Sequence, residues 1–368
     1  MEPKACWVGF NLVRGIGAVR IRALLNHFGS LEIAWQAPAD ALAAAGLSPK
    51  LIENLIRVRA ENLAERAWDY IQRKEIQVLT WDDSEYPDRL KQIDQPPPVI
   101  YVRGTLTPLD DFAVAIVGTR RVTGYGKQVT EELAVCLARS GITVVSGLAR
   151  GVDGVAHEAT LKAGGRTFAV LGCGVDVLYP PEHRLIAEKM LEQGALISDY
   201  APATPPDAGN FPPRNRIISG LSMAVVVVEA GESSGALITA SFAADQGRDV
   251  FAVPGNITAP QSKGTNRLIR DGAIPMLKPE DVLDALALNR VPQQQQARGI
   301  LPANEVETEI LRILAVETLH VDEICARSGL SVDRVSAALV MMELKGLVRG
   351  MGAMHYSMLR ESTGTYSV

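Results

Sequence analysis

The chain has 368 residues, 47% of them hydrophobic, and a formal net charge of -5, so it can bury one large core with smaller appended units but does not coat nucleic acid with its whole surface. Cys6, Cys136, Cys173 and Cys325 are scattered without metal-ligand spacing, which argues against a disulfide framework or a zinc site and for buried thiols. No apolar run approaches the roughly 20 residues of a membrane span and no signal-peptide pattern opens the chain, so the expectation is a cytoplasmic protein with no membrane span, metal or cofactor.

In chain order, residues 1–75 read as helices. Gly15-Ile-Gly17 lies between two helical patterns, as in a helix-hairpin-helix, and 39–59 look like a second copy with a degenerate turn. Such turns hold a DNA phosphate, with Arg20 and Arg22 as possible helpers here; the same helices also suit a protein-interaction or spacer module. Residues 76–112 read as short strands and prolines leading into a core. From 113 to 288 strands near 114–117, 143–145, 168–171, 196–198, 225–228, 250–253 and 273–277 alternate with helices near 126–139, 152–163, 181–192, 214–221, 236–246 and 266–271. That alternation predicts an α/β fold, a Rossmann-like doubly wound parallel sheet with ligands at the carboxyl ends of the strands. Residues 289–305, with Gln293 to Gln296, read as a flexible linker, 306–358 as a winged helix, and 359–368 as a tail. The third helix of that last unit offers Arg334 and Lys345 but is mostly apolar, which favours partner or self-contact over base reading.

The core's turns carry the candidate chemistry. Gly118-Thr119-Arg120-Arg121 follows the first strand, and Gly124-x-Gly126 lacks the third glycine of a dinucleotide fingerprint. Ser146, Gly147, Arg150 and Gly151 follow the second strand with Asp153 and His157 behind them, the acid read as a helix cap or arginine brace and the histidine as packed. Phe211-Pro-Pro-Arg214-Asn215-Arg216 gathers cations in the first turn of a helix, where the dipole disfavours them unless an anion is near; pairing with Asp199 or Glu229 is the bland alternative. Ser233, Ser234 and Gly235, with Thr239 one turn on, form a phosphate cradle of amides and hydroxyls, and Lys263-Gly264 repeats the idea. Arg120, Arg121, Lys127, Arg150, Arg214, Arg216 and Lys263 thus fall on loops at one sheet edge, and this local bias is the nucleic-acid signal.

The blocks Gly118-Thr-Arg120, 146–157, Tyr179-Pro180, 211–216, 234–239, 247–255 and Gly264-Thr-Asn266, in order over some 150 residues, resemble the signature of the DNA-processing protein A family, also called Smf. The resemblance implies a non-enzymatic, homodimeric single-stranded DNA binder that protects incoming DNA in natural transformation and loads the RecA recombinase. It places the DNA pocket on Arg150 and its loop, the Gly118 to Arg120 turn, and the helix start at Ser234 to Thr239. Glu232 departs from the neutral or basic residue many members carry beside the cradle. Two rivals are a nucleotide-hydrolysing enzyme, resembling the cytokinin-activating phosphoribohydrolases, and a ligand-sensing winged-helix regulator.

Overall fold

The computed structural model describes residues 2–287, 305–314, 319–344, 348–350 and 354–358; the linker expected at 289–305, except its last residue, and the tail expected at 359–368 lie outside the described residues. The chain divides into two compact units, Met1–Asn289 and Arg290–Val368.

The first unit is built on a nine-stranded sheet. Its centre is seven parallel strands: β3 (Ala113–Val117), β4 (Thr143–Ser146), β5 (Thr167–Val170), β6 (Gly194–Ser198), β7 (Ala224–Val227), β8 (Asp249–Ala252) and β9 (Ile274–Pro275). β3 to β7 are buried at every residue, which is why they read as unbroken apolar runs rather than alternating ones. In space the seven run β6-β5-β4-β3-β7-β8-β9. The chain winds outward from β3 to β6, then crosses back to lay β7 on the other side of β3. The loops leaving β3 and β7 therefore diverge, and the crevice they leave is where such sheets take ligands.

The stretch expected as a lead-in is part of this sheet. β1 (Gln77–Thr80) pairs antiparallel with β2 (Val99–Gly104), and β2 pairs antiparallel with β6, covering what would otherwise be an open edge. The N-terminal helices, Pro3–Leu12, Ala18–Phe28, Leu31–Gln36, Ala39–Ala44, Pro49–Ala60 and Leu63–Arg73, share a core with it. Trp7, Phe10, Trp35, Leu55 and Ile71 are continuous with Val78, Val99 and Tyr101. Gly9 is what lets two of these helices touch, since a Cβ there would lie 2.4 Å from the Trp35 ring. At the far edge the strand expected over 273–277 is only two residues long, because Pro275 has no N–H to extend the ladder.

The second unit packs the helices Glu305–Leu314, Val321–Ser328 and Val332–Leu344 against a small sheet, β10 (Leu319–His320), β11 (Val348–Gly350) and β12 (His355–Met358). Gly329, at φ 68°, closes the second helix and turns the chain into the third. Of the apolar residues on that third helix, Val335 and Leu339 are buried, together with Met342, beside Ile310, Ile324 and Val348 in the unit's own core, while Val332 is 52% exposed. Arg334 is exposed.

Gly104 tests the joint between β2 and the parallel sheet. Its φ is +101° and a Cβ would lie 2.2 Å from the Gly194 carbonyl oxygen. Gly104→Ala is expected to lower stability by about 2 kcal/mol or more, read as a lower urea midpoint.

Candidate nucleic-acid interface

A cleft of about 720 Å³ opens at the β3/β7 crevice. Of the residues singled out from sequence, Gly118, Thr119, Arg120, Arg121, Arg214, Asn215, Ser233, Ser234, Gly235 and Thr239 line it. Arg120, Arg121, Ser233 and Gly235 are exposed. The helix Gly235–Asp245 starts at the cleft wall with Ser234 as its cap, the side chain accepting from the Ala236 amide at 3.3 Å. Its first turn carries no acidic residue, so the positive end of the dipole faces the opening uncompensated. The opposite wall is aromatic. Tyr179 and Phe211 lie 5.9 Å apart at 34°, and the Arg120 guanidinium sits 5.9 Å over the Phe211 ring. Neither ring stood out among single residues in the sequence. Both belonged to quoted blocks, and an aromatic beside two prolines and an arginine was the available signal.

Other predicted residues are placed differently. Arg214 is 4% exposed and is corrected from phosphate contact to brace: its Nη1 donates to the carbonyls of Gly147, at 2.9 Å, and of Val170. The cation that seemed to ask for an anion is satisfied by carbonyl oxygens at the ends of β4 and β5. Arg216 turns out of this cleft, pairing with Asp199 at 2.7 Å and donating to the Gln95 carbonyl; it lines a second cavity of about 550 Å³ beside the Gly15-Ile-Gly17 turn. Ser146 is buried and donates to the Ile116 carbonyl. Gly147 is buried too, and a Cβ there would meet the Arg214 guanidinium at 2.6 Å. Gly151, at φ +77°, lets its loop pass close to the Thr119 carbonyl oxygen, from which a Cβ there would lie only 2.3 Å away. Gly264 is buried against the Ala230 carbonyl, to which its amide donates. Lys263 is exposed on the rim with Glu232 3.7 Å away. Arg150 is exposed beside the cleft and paired with Glu182. Thr239 lies under the cleft floor, 1% exposed.

The nearest carboxylates are committed to backbone. Glu229 takes the Thr123 amide at 2.9 Å and its hydroxyl at 2.6 Å, fixing the start of the helix Gly124–Arg139. Asp153 takes the amides of Gly147 and Ala149 at 3.1 and 3.2 Å, so it holds from below the turn that Arg214 holds from above. Burial raises the Asp153 carboxyl above its ordinary value, against the pull of Arg214. Among the described residues no group of His, Cys, Asp and Glu could hold a metal ion, and no helix is long and apolar enough to cross a membrane.

Fold and cleft together define a Rossmann-like α/β protein whose switch-point crevice is basic and aromatic, carrying a winged helix as a second unit. The family model described as DNA recombination-mediator protein A matches residues 77–287, and that of the DprA winged helix domain matches 294–353. The chain belongs to the DNA recombination-mediator protein A family. It is 37% identical to Protein Smf of Synechocystis sp., over 96% of this chain and 98% of that one, and 37% identical to Protein Smf of Escherichia coli, over 86% and 87%. Among solved structures, DNA processing protein A from Streptococcus pneumoniae superposes with a TM-score of 0.67 at 31% identity, covering 77% of this chain and 98% of that one. The protein from Helicobacter pylori, solved for its single-stranded DNA binding mode, gives 0.51 at 33%, covering 57% and 96%.

His157 supplies a test of the support beneath the cleft. It is fully buried, and because the Thr167 hydroxyl donates to the Val144 carbonyl, it accepts from His157 Nδ1–H at 2.7 Å. Nε2 is then an unprotonated, unpartnered nitrogen, and burial pushes the ring's pKa down from 6.5 to about 3. The unfolded chain takes up a proton near pH 6.5 that the folded one refuses until about pH 3, so stability present above 6.5 is lost as pH falls below it. Between pH 7 and 5 wild type is expected to lose about 2 kcal/mol more than His157→Asn, which cannot titrate, as read from urea unfolding at the two pH values.

Proposed function

We propose that this chain binds single-stranded DNA in the β3/β7 cleft, without catalysing a reaction on it, and hands the strand to a RecA recombinase. The observation that carries this reading is the pairing of two chemistries in one crevice. The exposed Arg120 and Arg121 and the uncompensated start of the helix Gly235–Asp245 suit successive phosphates, while Tyr179 and Phe211 suit unstacked bases. A duplex presents its bases stacked and paired, and cannot use the rings. Arg150 and Lys263 extend the basic rim, with Gly118, Thr119, Asn215, Ser233, Ser234 and Gly235 shaping the backbone approach. The single-strand binding of the H. pylori relative supports the same assignment.

The proposal extends to protection of incoming strands in natural transformation, in the cytoplasm, and to delivery to RecA; the family's description as a recombination mediator supports a role in recombination. Against an enzyme stand Glu229 and Asp153, both tied to backbone amides, and His157, which is buried in the sheet support. A gel shift with single-stranded, duplex and RNA oligonucleotides, with nucleotide turnover assayed alongside, separates the readings; duplex preference or turnover defeats this one.

Arg150→Ala is expected to weaken single-strand binding roughly ten- to a hundredfold, the usual worth of a charge-assisted contact. The loss should be equal for poly-dT and mixed sequence, with the slope of log affinity against log salt reduced by about 0.7. Arg334→Ala, on the second unit, is expected to leave affinity unchanged; a tenfold loss there with Arg150→Ala silent moves the site to the winged helix.

We further propose a homodimer through 264–286, where edge strand β9 ends the sheet and Ile274 and Leu277 are 38% and 79% exposed. Light scattering at micromolar concentration is expected to give a dimer mass; a monomer removes the claim.

A further inference from the structure

The cleft's rim carries an ion pair that strand binding leaves unexplained. Arg150, in the turn after β4, donates from Nε to the Glu182 carboxylate. Glu182 sits in the single 3-10 turn Pro181–His183, and that turn is pinned to the arginine's own loop. His183 Nδ1 lies 3.0 Å from the Leu148 carbonyl oxygen, two residues before Arg150. The His183 ring fills the space above Gly154, where a Cβ would come within 2.6 Å of its Cε1. The two charges are thus brought together by anchored backbone, not by a chance meeting of long side chains. Both stay open to water, at 63% and 45% exposure, and the Arg150 guanidinium holds the Glu182 carboxyl below its ordinary value.

A phosphate oxygen needs the same guanidinium donors that Glu182 occupies. We propose that Glu182 is an anionic place-holder, engaging Arg150 in the free protein and giving way to a strand phosphate, so that it sets the affinity and salt response of single-strand binding. This rests on the reading of the cleft as a single-strand site. A carboxylate 32 residues away in the chain is kept against the arginine although the pair contributes little to the fold, since exposed ion pairs are worth little. Its effect falls on the ligand. The strand must displace the carboxylate and then lie beside its charge. Lys263 and Glu232, 3.7 Å apart on the other rim, are a looser version of the same arrangement.

The test compares Glu182→Gln with Glu158→Gln. Glu158 makes an exposed pair with Lys162 further along the helix Val152–Lys162, so the control changes net charge equally without touching Arg150. Glu182→Gln is expected to bind a poly-dT oligonucleotide two- to fivefold tighter than wild type at low salt, with the gain shrinking as salt rises, while Glu158→Gln matches wild type. In an Arg150→Ala background the gain should vanish. Equal or weaker binding by Glu182→Gln, an equal gain in the control, or a gain that survives Arg150→Ala each overturns the proposal. Phenylglyoxal labelling of Arg150, read by peptide mass spectrometry without DNA, is expected to be faster in Glu182→Gln; an unchanged rate shows that the pair does not hold the arginine in solution. Absence of single-strand binding by wild type and Glu158→Gln alike would sink the functional reading itself, and the labelling rate would still report on the pair.

Discussion

A guanidinium without water is the constraint on which the cleft depends. Arg214 cannot shed its proton, so a buried position is tolerable only where oxygen atoms replace its hydration, and the carbonyls of Gly147 and Val170 do so. Removing one partner of a buried charge costs about 3–5 kcal/mol, an appreciable share of a marginal total stability. The consequence is geometric. Arg214 lies in the helix Phe211–Gly220, and its carbonyl partners lie at the ends of β4 and β5, so one side chain ties the aromatic wall to the turn that presents Arg150. Asp153 holds the amides of the same turn. Both polarities of the turn's backbone are thus engaged by protein groups, which fixes its shape from within the fold.

Buried floor and exposed rim divide the work. The groups that fix the floor, Arg214, Asp153, Ser146, Glu229 and Thr239, are buried. The cations that face solvent, Arg120, Arg121, Arg150 and Lys263, sit on top of them. A phosphate contact made by an exposed arginine carries no sequence information, which suits the proposed binding of strands of any sequence. Two of these cations already have carboxylate partners, Glu182 and Glu232. A net charge of -5 and a basic cleft are therefore compatible at close range, because acidic side chains stand beside the basic ones instead of on a distant face.

The alternation of apolar runs with helical stretches was enough to place all seven parallel strands, since a strand covered on both faces has no polar residue to confuse the pattern. Gly118 to Arg121 and Ser233 to Gly235 were legible as the loops at the carboxyl edge of the sheet, and they line the cleft there, because small residues and hydroxyls straight after such a strand have few other uses. β1 and β2 were legible as strands but not as members of the sheet, because antiparallel pairing onto β6 joins segments far apart in sequence and leaves no local mark. The apolar third helix of the second unit was equally silent on which of its residues meet their own core, as Val335 and Leu339 do, and which stay exposed, as Val332 does.

What the chain determined by itself was the set of residue types at the carboxyl edge of a parallel sheet, because hydrophobic period and turn chemistry are local properties. Only the tertiary structure decided which arginines are available to a ligand. Arg214 and Arg216 stand two apart in one helix turn and look alike in sequence, yet one is buried against carbonyls and the other faces a different cavity, paired with Asp199. Arg150 acquires Glu182 from another turn. The competition among carbonyl, carboxylate and phosphate for a guanidinium is settled by which of them the fold brings within hydrogen-bond reach, and reach is not a property of the sequence's order.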